Sequence, residues 1–98
     1  VKKNYLRMIH SMKKSRKKEW SVYILRCGDG SLYTGIAKDP KARLAAHAAG
    51  KGAAYTRTRR PLALVYRKDG FNRSGALIEE ARIKRLPRTE KLRLVRPR

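Results

Sequence analysis

The alternation of apolar and polar positions is weakest over the first 18 residues and becomes regular at Trp20. Trp20-Ser-Val-Tyr-Ile-Leu-Arg26 is rich in β-branched and aromatic residues and reads as a strand. Gly28-Asp-Gly-Ser31 is a turn cluster, and Leu32-Tyr-Thr-Gly-Ile36 resumes the strand pattern, so residues 21–36 predict a β-hairpin. Gly35 inside the second strand points to a bulge or a close backbone approach. Asp39-Pro40 carries the signature of a helix start, with Asp as N-cap and Pro at the first helical position, and Gly50 ends that helix. A basic loop, Lys51 to Pro61, leads to a third strand, Leu62-Ala-Leu-Val-Tyr-Arg67, and Asp69-Gly70 is expected to turn the chain. Ser74 can cap a helix running to about Leu86, Pro87 breaks it, and Thr89 can cap a last short helix carrying Leu92 and Val95. The expected order is β-β-α-β-α-α, an α/β (α+β) domain with no internal repeat.

Length and charge narrow the function. Ninety-eight residues allow one domain with a modest core, and 41% of them are hydrophobic. Lys and Arg number 27 against seven Asp and Glu, for a net charge of +20, more than solubility asks of so small a chain. Nucleic acid is the natural partner, because each neutralised phosphate releases condensed counter-ions. An acidic membrane surface fits less well, since no basic segment carries a strong apolar face with aromatic anchors. No run approaches the ~18 apolar residues of a membrane span. The basic start lacks the apolar segment of a signal peptide, so a soluble, cytoplasmic protein is expected. One cysteine, Cys27, excludes a disulfide framework and reads as a small buried hydrophobe beside the turn.

The charge is uneven. Residues 1–18 hold eight basic residues and no acid, and Lys13 to Lys18 should repel itself and stay mobile. Residues 1–19 are therefore expected to be a basic arm, with a short helix conceivable in its first half and Met12 a sensible alternative start. Without residues 1–18 the chain still carries +12, so the basic character belongs to the domain over residues 20–98.

Three constellations could carry chemistry. Arg43 and His47, four apart, project from one helix face, an arrangement that surface coincidence often produces. Tyr23 and Tyr33 can lie close on one side of the hairpin, although tyrosines in strands more often pack than catalyse. Winding residues 76–86 at about 100° per residue puts Ala76, Leu77, Ala81 and Ile83 on one apolar arc with Glu80 inside it, and Glu79 nearer a solvated edge. A carboxylate on that arc needs a cation, so Glu80 is either the partner of an arginine or the ligand of a hard divalent ion.

In order along the chain, these residues resemble the GIY-YIG nuclease family. Val22-Tyr-Ile-Leu25 and Tyr33-Thr-Gly35 are similar to its two half-motifs, and Arg43 with His47 to its helix motif. The loop Gly50-Lys-Gly-Ala-Ala-Tyr-Thr-Arg-Thr-Arg-Arg-Pro61, then Ala76-Leu-Ile-Glu-Glu80, resembles the small single-domain bacterial members. The first half-motif reads Ser21-Val22-Tyr23 without its glycine and the second has Thr34 at its centre; both changes spare the tyrosines. The resemblance covers residues 20–95. It implies a small three-stranded antiparallel sheet flanked by helices, and a phosphodiester-cleaving site using one divalent ion, Mg2+ or Mn2+. It implies Tyr23 and Tyr33 as the paired tyrosines, Arg43 as the catalytic arginine, Glu80 as the metal ligand, and His47 and Tyr55 as auxiliary residues.

On this reading Arg43 faces the charge that builds on phosphate oxygens, and a tyrosine whose pKa is lowered by Arg43, the ion and a hydrogen bond acts as general base, with Tyr23 favoured. Lys51, Arg57, Arg59 and Arg60 would track a nucleic-acid backbone, with Tyr55 available to stack or hydrogen-bond. Nothing resembles a recognition helix, so binding is expected to ignore sequence or to draw specificity from a protein partner. DNA is expected ahead of RNA. A non-catalytic basic binding module and a ribonucleoprotein component are the competing readings.

Overall fold

The computed structural model describes residues 17–96. The basic arm expected over residues 1–19 lies almost wholly outside them. Three strands, β1 (Trp20–Arg26), β2 (Leu32–Ala37) and β3 (Ala63–Phe71), form one antiparallel sheet in the order β2-β1-β3. Helix α1 (Pro40–Ala48) and a short helix α2 (Ala54–Arg57) separate β2 from β3; α3 (Arg73–Lys84) and α4 (Arg88–Leu94) follow it. The expected order holds with one addition, since α2 forms within the segment read as a plain basic loop.

The hairpin forms as its pattern requires. Its register runs unbroken from Ser21↔Ala37 to Arg26↔Leu32, and the turn closes through Gly30 at φ 83°. Asp29 ties that turn, accepting from the backbone N–H and hydroxyl of Ser31 at 3.0 and 2.5 Å. Asp39 caps α1 by accepting from the Ala42 amide at 3.2 Å, with Pro40 behind it.

Strand β3 differs from its sequence reading. Asp69-Gly70 does not turn the chain; the strand continues to Phe71, and the two residues together face Ser21 of β1 as a bulge, with Gly70 at φ 90°. The Ser21 hydroxyl donates to Asp69 at 2.5 Å and Arg67 donates to the same oxygen at 2.7 Å, which pins the bulge. Cap positions differ too. Asn72, not Ser74, caps α3 by accepting from the Gly75 amide at 2.7 Å, and α4 starts behind Pro87 with no side-chain cap, so Thr89 lies inside it. Asn72 directly follows the strand end, and the extra reach of β3 moves the helix start back to it.

Because β1 is central, its alternate residues enter two separate clusters. Val22 and Ile24 pack with Ala76 and Ile83 of α3, and Trp20, Val65, Phe71 and Leu94 close around them. Tyr23 and Leu25 face the other way, with Ala37, Tyr33 and Leu44 of α1. Cys27 is buried and free beside the turn.

Candidate active site

The second face carries the polar chemistry. Tyr23 stands opposite Gly35 across the β1–β2 ladder, and Tyr33 lies on the same face, opposite Leu25. Gly35 is the close approach its position suggested. A Cβ there would sit 2.5 Å from the Tyr23 hydroxyl, so only glycine lets the phenol lie across β2. The Tyr23 hydroxyl ends 3.1 Å from Nε2 of His47, a fully buried residue on α1. The rings of Tyr33 and His47 meet edge to face with centroids 5.3 Å apart. Tyr55 of α2 stacks on Tyr33 at 6.1 Å.

Two charges act on the same hydroxyl. Burial raises the Tyr23 pKa above its ordinary value, Tyr33 adds to that, a hydrogen bond and the charge of Arg43 oppose it, and the Glu80 carboxylate adds a smaller upward push. The balance is upward. Arg43 therefore does not by itself make Tyr23 a phenolate; the expected lowering counted on the divalent ion as well. His47 moves the other way: burial first, then the Arg43 charge, hold its pKa below 6.5, so the buried ring is neutral near pH 7.

Helix α3 corrects the carboxylate assignment. Its inward stripe is Ala76, Glu79 and Ile83, while Leu77 is 43% exposed and Ala81 lies at the surface. The apolar arc drawn from the sequence was rotated, because Leu77 and Ala81 widened it towards solvent. Glu79, expected at a solvated edge, is the more buried acid. Its carboxylate is gripped by Arg82 and lies 3.4 Å from Lys68, and these partners hold its pKa below the ordinary carboxylate range. Glu80 is part-buried, pairs with Lys84 at 3.4 Å, and is the acid whose charge reaches Tyr23. Glu79 answers to the arginine-partner reading, and Glu80 is left with Lys84 as its partner.

Among the described residues no group of three or more His, Cys, Asp or Glu comes together as a metal cage. Mg2+ keeps most of its waters and asks little more of a protein than one carboxylate, which Glu80, held by a single lysine, could supply.

The basic segment after α1 divides into two kinds of cation. Arg59 donates to Asp29 of the hairpin turn at 3.1 Å and to the Tyr55 carbonyl at 2.9 Å, and its guanidinium covers the Tyr55 ring at 3.8 Å. Tyr55 thus touches both Tyr33 and Arg59 while remaining 39% exposed. Arg60 donates to the Ala48 carbonyl at 3.1 Å and closes the C-terminus of α1. Lys51 and Arg57 are exposed.

Sequence reasoning missed Thr56. It is fully buried, its hydroxyl lies 2.8 Å from Nδ1 of His47, and it reaches the Ala53 carbonyl at 2.9 Å. Its only signal was a place beside Tyr55; a separation of nine residues matches neither helix nor strand period.

The chain is similar to known proteins over most of its length. Residues 19–93 match the family model for the GIY-YIG catalytic domain. The chain is 55% identical over 74 residues to a UPF0213 protein of Oceanobacillus iheyensis, covering 76% of this chain and 86% of that protein. It is 52% identical over 77 residues to a UPF0213 protein of Staphylococcus aureus, covering 79% and 94%. Among solved structures it is similar to the UPF0213 protein BH0048 of Bacillus halodurans, with 45% identity, a TM-score of 0.50 and coverage of 78% and 81%. A second is a protein of E. faecalis, with 38% identity, a TM-score of 0.53 and coverage of 80% and 83%.

Proposed function

The chain belongs to the GIY-YIG family, which implies nuclease activity in general, and on that premise we propose that it is a divalent-metal-dependent endonuclease hydrolysing phosphodiester bonds, with DNA preferred to RNA. The observation that carries this reading is the meeting of a neutral buried imidazole, an arginine and a carboxylate at one phenolic hydroxyl.

Tyr23 is the general base. Its raised pKa keeps a free phenolate scarce, so the proton must leave as it acts: a water gives its proton to the phenolic oxygen while the phenolic proton passes to Nε2 of His47. The water oxygen bonds to phosphorus, and the bond to the leaving 3′-oxygen breaks. Arg43 presents its permanently charged fork to the non-bridging oxygens as charge builds there. Tyr33, its ring wedged between His47 and Tyr55, holds the water or phosphate in line. Glu80 holds the divalent ion, which when bound supplies Lewis acidity to the phosphate and to the leaving oxygen. Lys51 and Arg57 contact the nucleic-acid backbone without reading bases. Arg59 and Arg60 brace the loop, and Tyr55, packed on Tyr33 yet partly exposed, is available to stack or hydrogen-bond with substrate.

Cleavage of labelled single-stranded, duplex, flap and branched DNA, and of RNA, with Mg2+ or Mn2+ against EDTA, tests the reading. Metal-dependent cutting by the wild type and its loss in Arg43→Ala and Glu80→Gln is the expected result. Tight binding with no cutting by any of the three means a basic binding module on a nuclease fold.

A further inference from the structure

His47 is buried with both ring nitrogens in contact, and the hydrogens of that contact can be counted. The Thr56 hydroxyl lies 2.9 Å from the Ala53 carbonyl, which has no hydrogen to give. Two oxygens so close need a hydrogen between them, and the hydroxyl supplies it. Having one hydrogen only, the hydroxyl can offer Nδ1 of His47, 2.8 Å away, nothing but a lone pair. Nδ1 must then carry the ring hydrogen, and in a neutral imidazole Nε2 is left bare. The bare nitrogen is the one that faces the Tyr23 hydroxyl at 3.1 Å.

The ring cannot turn to escape this assignment. A Cβ on Gly52 would lie 2.0 Å from Nδ1 and 2.6 Å from Cγ, so the Gly52 backbone presses on one side of the imidazole while Tyr33 meets it from another. Gly52, Ala53 and Thr56 all belong to the segment between α1 and β3, which Arg59 ties to Asp29 and Arg60 ties to Ala48.

We infer that Thr56 is a positioning residue that fixes the Nδ1–H tautomer of His47, leaving Nε2 as the acceptor for the Tyr23 proton. The Ala53 carbonyl, Thr56 hydroxyl, His47 ring and Tyr23 phenol form one chain in which every hydrogen points away from the substrate side. The inference deepens the nuclease reading and rests on it for its effect on rate, but the tautomer itself is a property of the folded protein.

The test pairs nitrogen NMR of the imidazole with steady-state cleavage. In 15N-histidine protein near about pH 7.5, where the ring is neutral, the one-bond and long-range couplings distinguish Nδ1–H from Nε2–H. The chain has two histidines, and His10→Gln assigns the signals. Wild type and Thr56→Ser are expected to show the Nδ1–H form with similar kcat. Thr56→Val, which keeps the shape and removes the acceptor, should shift the ring towards Nε2–H and lower kcat about tenfold, the scale of one neutral hydrogen bond, with KM little changed. A wild-type ring protonated at Nε2 overturns the inference, and that measurement stands even if Thr56→Val does not fold. A folded Thr56→Val with both tautomer and kcat unchanged overturns it as well. Should the wild type cut no nucleic acid, the nuclease reading fails, and the nitrogen spectra alone then decide whether Thr56 sets the tautomer.

Discussion

The two faces of strand β1 solve opposite problems with alternate residues. Towards α3, Val22 and Ile24 meet Ala76 and Ile83 in an apolar cluster, with Glu79 the one acid on the same inward stripe. Towards α1, Tyr23 meets His47, which in turn meets Thr56, and both of these are fully buried and polar. A buried polar group costs stability unless it is hydrogen-bonded, and the second face meets that demand. Among the described residues no buried side-chain nitrogen or oxygen lacks a partner. One face thus supplies non-directional stability, and the other spends its packing on orientation. The same division falls across two adjacent acids of α3. Glu79 is neutralised by Arg82 and Lys68 and belongs to the scaffold; Glu80 has the weaker partner and is the acid whose charge reaches Tyr23.

The contrast can be broken from the apolar side first. Ile83→Ala removes a fully buried side chain and should destabilise the fold by about 2–5 kcal/mol, read as a shift in the urea midpoint at unchanged slope. The surviving folded fraction should still cut. From the other side, Arg43→Ala should leave the urea midpoint within about 0.5 kcal/mol of wild type, because Arg43 lies at the surface. Its cleavage rate should fall about 100- to 1000-fold, the cost of removing one donor to developing charge. An equal loss of stability in both variants would erase the distinction between the faces.

The paired acids sharpen it. Glu79→Gln should cost about 1 kcal/mol in melting experiments and keep its activity, since it loses a charge-assisted contact whose cations are half-exposed. Glu80→Gln should melt like the wild type and lose metal-dependent cutting. The reverse pattern would move the metal to Glu79.

Acid should find the polar face before the apolar one. His47 is held below 6.5 in the folded protein, so under that pH the unfolded chain binds more protons than the native one and stability declines as pH falls. Glu79, Asp29 and Asp69 are also held below their ordinary values, and their contribution is present above those values and lost as pH falls through the folded pKa of each. Urea titrations should therefore show a first decline starting near about pH 6.5 and a second under about pH 4.5. In His47→Gln the first decline should vanish and the second should remain.

Local pattern alone carried the hairpin, the Asp39-Pro40 helix start, the order of the main elements and the family. Strand alternation and turn residues are decided within a few neighbours, the paired tyrosines sit on the two strands of one hairpin, and Arg43 and His47 keep a fixed spacing inside one helix. What local pattern could not carry were relations across elements. Asp69-Gly70 has the chemistry of a turn, and only Ser21 on the next strand makes it a bulge. Glu79 and Glu80 lie on one helix face 100° apart, and the positions of Lys68 and Arg82 against Tyr23 assign their roles. Arg59, read from the sequence as a phosphate contact, also braces the hairpin turn through Asp29 and covers Tyr55. Thr56 became visible only with His47 beside it. Backbone preference is a property of short segments, whereas burial and pairing depend on which distant residues arrive at the same place, and those the tertiary fold alone decides.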